Sequence, residues 1–209
     1  MTAVSKRLTL ASASPRRREL LARLGLSFDV VPSDVDETLA PGLAIPAQAV
    51  GLALAKARSV AARLGSGLVL GADTVVVLDG RPFGKPASRE EARRMLLALR
   101  ARRHEVVTAV AVVDATAGRE ATDAVVSGVL MRAYTEAELE AYLETSEPYD
   151  KAGAYAVQGE GGRLVERIEG CFTNVVGLPL ATTARLLQTF GLEAVREPEG
   201  PARAPSGPR

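Results

Sequence analysis

The segment Leu68–Leu78, LVLGADTVVVL, is a near-continuous apolar run rich in valine, and such a run reads as a strand covered on both faces. A strand of that kind needs packed layers on either side, which places the chain among folds that mix sheet and helix. One residue breaks the run. An ionised carboxylate at Asp73 would cost several kcal/mol unless paired, hydrogen-bonded or bound to metal, so the position demands a partner. A structural ion pair is one way to meet that demand, and a catalytic or metal-binding arrangement is another. Gly71, two residues earlier, marks a bulge or a close approach of another backbone.

Short apolar runs alternate with helical patterns along the rest of the chain, as in α/β or α+β folds. The patterns predict strands over Arg7–Leu10, Phe28–Val31, Leu68–Leu78, His104–Asp114, Arg119–Met131 and Leu164–Glu169. They predict helices over Pro15–Leu24, Pro46–Leu64, Ser88–Leu99, Thr135–Thr145 and Pro179–Phe190. Ser88 with Glu91 and Thr135 with Glu138 have the spacing of capping boxes, and Asp114–Gly118 reads as a hairpin turn. With 209 residues, 47% of them hydrophobic, the chain can bury a sizeable core in one large domain or two closely packed lobes, expected over residues 1–193. Residues 194–209, rich in Pro, Gly and charge, are expected to be disordered.

The formal net charge of +1 provides no general field for nucleic acid or a membrane surface, so neither is an expected partner. A single cysteine, Cys171, excludes an internal disulfide, and with no long apolar span or signal peptide evident the expectation is a cytoplasmic protein. Cys171 and the one histidine, His104, read as structural residues.

Against this neutral background, LASASPRRREL at Leu10–Leu20 sets three arginines where a helix should begin. Ser14 serves as N-cap, Pro15 fits the first helical position, and Leu20, Leu21 and Leu24 form the buried face. Arg16, Arg17 and Arg18 then sit in the first turn, where each cation costs about 0.3–1 kcal/mol against the helix dipole. A bound polyphosphate would reverse that sign, gripped by free amides, the Ser12 and Ser14 hydroxyls and the guanidinium groups. Arginines splayed into water are the alternative. VDET at Val35–Thr38 puts Glu37 in a loop. Lys56, in GLALAKARSVAARL, falls on or near a largely buried helix face, where it snorkels to water or serves a site. DKAGAYAVQGEGGRL at Asp150–Leu164 combines close-approach glycines with Gln158, at once donor and acceptor, in a loop that Tyr155, Ala156 and Val157 mark as packed.

Taken in order, SASPRRREL, VDET, ALAKAR, LGADTVVVLDG, FGKP, HEVVTAVAVV, EPYDKAGAYAVQGEGG and NVVGLPL resemble the Maf family of nucleoside triphosphate pyrophosphatases, once described as septum formation inhibitors. The resemblance runs from about Leu8 to Leu187. It implies a two-lobed α/β fold with a mixed sheet, similar to inosine triphosphate pyrophosphatases, with the active site in the cleft between lobes. It also implies a homodimer and a divalent cation, Mg²⁺ or Mn²⁺. Arg17, Thr74 and Gln158 match the branch acting on dTTP and UTP. Many members carry Glu before the Lys-Pro pair where this chain has Gly84, so a second acidic metal ligand is missing from that loop, while Lys85 is retained.

What the resemblance implies for mechanism is attack of water on the α-phosphorus with release of pyrophosphate. Ser12, Arg16, Lys56 and Lys85 would hold the triphosphate, Glu37 or Asp73 the metal, and Asp73 would act as base, facing the arginine tip across a groove. Arg17, Thr74 and Gln158 would read the imide edge that uracil and thymine share and cytosine lacks. A nucleotide-binding regulator of cell division without significant turnover is the alternative function.

Overall fold

The computed structural model describes residues 7–36 and 43–195. In chain order the elements are β1 (Leu8–Leu10), α1 (Pro15–Arg23), β2 (Phe28–Val30), α2 (Ile45–Leu64), β3 (Leu68–Leu78), β4 (Arg81–Phe83) and α3 (Arg89–Leu99). There follow β5 (Arg103–Asp114), β6 (Glu120–Met131), α4 (Glu136–Leu143), three 3₁₀ turns (Glu147–Asp150, Ala152–Ala154 and Glu160–Leu164), β7 (Val165–Glu169), α5 (Phe172–Val176) and α6 (Leu180–Gln188). The strands run in the order β2-β1-β3-β5-β6-β7, with β4 also paired to β3. β1 is parallel to β2 and β3, whereas β4 is antiparallel to β3 and β7 to β6, so the sheet is mixed as expected.

The chain divides into two compact units, and the divisions fall inside β3, β5 and β6. The first comprises the described parts of Met1–Asp73, Thr108–Val125 and Gly177–Gly200. Its core is built from Leu8 and Leu10 of β1, Leu20 and Leu21 of α1, the following Leu24, and the small-residue face of α2, Ala53, Ala57 and Val60, all buried. Ser14 caps α1 and Pro15 opens it, as the residue types require. The turn after β5 is closed by Asp114, whose Oδ1 accepts from the amides of Thr116 (3.0 Å) and Ala117 (3.1 Å).

The second unit comprises Thr74–Val107, Val126–Val176 and Pro201–Arg209, of which the last lies outside the described residues. Leu96 and Leu99 of α3, Leu139 and Leu143 of α4, and Val76, Met131, Tyr134 and Tyr155 share one buried cluster. Thr135 and Glu138 form the full capping box of α4. At α3 the expected box is only half made. Ser88 Oγ accepts from Glu91 N at 3.2 Å, but the Glu91 carboxylate reaches past the cap residue to Ala87 N at 2.7 Å. Three kinds of element were not expected from the sequence: β4, α5 and the 3₁₀ turns. β4 follows a two-residue turn in which Asp79 and Gly80 both adopt positive φ (51° and 73°), the geometry that favours a tight hairpin. Residues 196–209 lie outside the described residues, and with them most of the expected disordered tail.

Candidate active site

At the tip of α1 the hydroxyls and the second arginine form a connected set. Ser14 Oγ accepts from Arg17 N at 3.4 Å, and Ser12 Oγ accepts from Ser14 N at 3.2 Å and from Arg17 Nη1 at 3.4 Å. Arg17 Nε donates to the Gly177 carbonyl at 2.9 Å. Arg17 is therefore not splayed into water: it is half-buried and ties the start of α1 to the segment before α6. Arg16 is half-buried beside it, Arg18 is exposed, and α1 has no acidic residue in its first turn. Positive charge is concentrated at the positive end of the helix dipole, which favours an anion there.

Asp73 has the partner its position demands. Lys56 Nζ donates to Asp73 Oδ1 at 2.8 Å, with both side chains buried. The cause lies two residues upstream. A Cβ on Gly71 would stand 2.2 Å from the Ala53 carbonyl oxygen and 2.9 Å from Ala57 N, so only glycine lets α2 lie this close to β3. Gly71 and Asp73 share a face of β3 by the two-residue period, and that close seat brings Lys56 onto the carboxylate. Lys56 is thus buried and paired, not snorkelling.

Asp73 points to the α2 face, against Lys56. Lys56 is bonded to Oδ1 of the carboxylate. Both the arginine tip and the carboxylate follow the last paired step of β1 with β3. Ala11 N donates to Leu70 O at 2.8 Å; Ser12 follows the carboxyl end of β1, where α/β proteins bind ligands, and Asp73 lies three residues beyond Leu70 in the middle of β3.

The donor chemistry fits a hard cation carried largely by phosphate oxygens. Mg²⁺ commonly takes one or two carboxylates together with substrate phosphates, and Asp73 is a suitable oxygen donor. Among the described residues no group of three or more His, Cys, Asp or Glu could hold an ion unaided. Glu37, the other expected ligand, lies outside the described residues.

Thr74, Lys85 and Gln158 belong to the second unit. Thr74 follows Asp73 on β3 and is half-buried, while Lys85 and Gln158 are exposed. Lys85 is carried by the chain that leaves β4, and that chain is tied down by a backbone bond from Gly153 N to Gly84 O at 3.0 Å. Gly153 has φ 71°, and a Cβ there would meet Val76 at 3.0 Å, so the glycine of AGAY seats this loop against β3. The tie between the two loops was not foreseen. The Asp79–Gly80 pair, a strong hairpin signal, could have revealed the return of the chain that makes it. Ala154, Tyr155 and Ala156 are buried, as expected of a packed loop.

His104 and Cys171 have structural surroundings. His104 Nε2 lies 2.7 Å from Tyr155 Oη in a T-shaped contact, and burial, with Arg103 nearby, lowers its pKa to about 4. Cys171 Sγ lies 3.2 Å from Thr173 Oγ1.

A family model described as Maf-like protein matches residues 7–190. A protein named dTTP/UTP pyrophosphatase from Moorella thermoacetica is 54% identical over 187 residues, covering 90% of this chain and 96% of its own. A second of that name, from Pelotomaculum thermopropionicum, is 50% identical over 187 residues, covering 89% and 97%. A crystal structure of a nucleoside-triphosphatase / dITP/XTP pyrophosphatase from Mycobacterium abscessus overlays with a TM-score of 0.44 at 15% identity, over 88% of this chain and 97% of its own, too distant a likeness to bear on function.

Proposed function

Because the chain belongs to the Maf family, we propose that it is a nucleoside triphosphate pyrophosphatase, converting dTTP and UTP to the monophosphate and pyrophosphate. Relatives of 50–54% identity that are named for this activity support the reading. The observation that carries it is the buried Asp73–Lys56 pair in the middle of β3, three residues beyond the last step paired with β1.

The roles follow from the residues. Ser12 and Arg16, at the tip of α1, bind phosphate oxygens, and Lys56 and Lys85 add positive charge for the leaving pyrophosphate. Asp73 Oδ2 accepts a proton from the attacking water as oxygen bonds to the α-phosphorus and the bond to the bridging oxygen of the β-phosphate breaks. Lys56 keeps the carboxylate oriented during that step. Asp73, with Glu37, would hold Mg²⁺ or Mn²⁺ alongside the phosphates; such an ion neutralises charge and makes a coordinated water more acidic. Thr74 and Gln158, with Arg17 ordering Ser12 and the start of α1, are assigned to base recognition.

A nucleotide panel with Mg²⁺ tests the reading. Purified protein is expected to turn UTP and dTTP into monophosphate and pyrophosphate while sparing CTP. Release of orthophosphate and a diphosphate would overturn it, and tight binding with no product would favour the regulator. Sedimentation of the purified chain tests the proposed homodimer, which a monomer at working concentration would exclude.

A further inference from the structure

We propose that Glu147 is the positioning residue of the base-reading turn: its carboxylate fixes the backbone that presents Gln158, and through it sets the discrimination between uracil and cytosine nucleotides. The inference rests on the assignment of Gln158 to base recognition.

Glu147 opens the first 3₁₀ turn, and its half-buried carboxylate receives three hydrogen bonds. Oε1 accepts from Tyr142 Oη at 3.1 Å and from Gly161 N at 2.9 Å, and Oε2 accepts from Glu160 N at 3.1 Å. Glu160 and Gly161 begin the Glu160–Leu164 turn, so their amides have no partner within it. The carboxylate caps that turn from another part of the chain, with its charge at the end of the turn that favours an anion.

The backbone on both sides of Gln158 is shaped to this contact. Gly159 has φ 113° and ψ −155°, a conformation open essentially to glycine alone, and a Cβ there would stand 2.2 Å from Glu147 Oε2. A Cβ on Gly161 would stand 2.6 Å from Tyr142 Oη and 2.7 Å from the Ala156 carbonyl oxygen. Ala156, on the other side of Gln158, is buried. Gln158 itself is exposed, so the fixed backbone beneath it decides where its amide can reach. Three donors converge on a group that must be a pure acceptor, which an ionised carboxylate is and an amide is not.

Steady-state kinetics on the full chain with Mg²⁺, using UTP and CTP, test this in four proteins: wild type, Glu147→Gln, Gln158→Ala and the double variant. Glu147→Gln keeps the shape but sets an NH₂ group against a backbone donor. It is expected to lower the UTP-to-CTP ratio of kcat/KM about tenfold or more, chiefly through the KM for UTP, with kcat little changed. Gln158→Ala should lower the ratio similarly, and the double variant no further. A folded Glu147→Gln protein with the wild-type ratio overturns the proposal, as does a double variant whose loss is the product of the two single losses. A wild-type ratio in Gln158→Ala instead strikes at the base-reading assignment itself, and the inference falls with it. If Glu147→Gln does not fold, Tyr142→Phe, which removes one of the three donors, carries the test: a smaller drop in the same sense is expected, and an unchanged ratio overturns the proposal.

Discussion

Asp73 and Lys56 answer one another's burial. Removing one member of such a pair leaves the other charged and unpaired in the core, which costs about 3–5 kcal/mol. Lys56→Met should therefore unfold at markedly lower denaturant, and adding Asp73→Asn should restore most of the loss; additive losses in that cycle would mean the two groups do not depend on each other. Asp73→Asn alone should still fold, because its amide oxygen can accept from Lys56, while turnover falls by about 10²–10⁴. Retained activity would remove Asp73 from the base role. His104 supplies a pH dependence of its own. With its pKa lowered from 6.5 to about 4 by burial, the folded protein binds fewer protons than the unfolded chain in that window, so stability is full above pH 6.5 and declines as pH falls toward 4. The decline from this residue is about 3 kcal/mol, and His104→Gln, measured against wild type across that range, should lack it; identical pH profiles would contradict the assignment. Gly84 has ordinary φ and open space where a Cβ would stand, so Gly84→Glu should fold and lower the Mg²⁺ concentration needed for half-maximal activity. An unchanged requirement would show that this loop does not face the cation.

Among the elements, β3 and α2 matter most because their spacing delivers Lys56 to Asp73. Gly71→Ala forces a methyl group to within 2.2 Å of the Ala53 carbonyl, which cannot swing aside as a side chain could. The variant should lose stability and activity together, and a wild-type melting temperature would show that α2 shifts at little cost. Much of this was legible in advance. The valine-rich run fixed β3 to the residue, Gly71 announced a close approach, and Ser14, Pro15 and Thr135 marked helix starts through capping chemistry that is local to them. What failed to show was what depends on residues far apart in sequence. The face of β3 that carries Asp73 is set by where α2 packs, and the pairing with Lys56 depends on that packing. Arg17 bonds to Gly177 and Glu147 to Gly161 across gaps that no spacing rule spans. The short β4 and the 3₁₀ turns carry too few residues for a period to emerge, though Asp79–Gly80 held the signal for the first.

At the scale of the whole molecule, a chain of nearly balanced charge keeps its positive groups for particular places, and the tip of α1 at the carboxyl end of a parallel strand is one of them. The proposed function gives that arrangement a chemistry, in which water adds to the α-phosphorus and pyrophosphate departs. The position of new oxygen in the products tests this directly. With UTP and Mg²⁺ in ¹⁸O-enriched water, the isotope shift in the ³¹P spectrum is expected on the phosphorus of UMP, with the pyrophosphate unlabelled. Label in the pyrophosphate, or in free orthophosphate, would place the attack at another phosphorus and contradict the assignment.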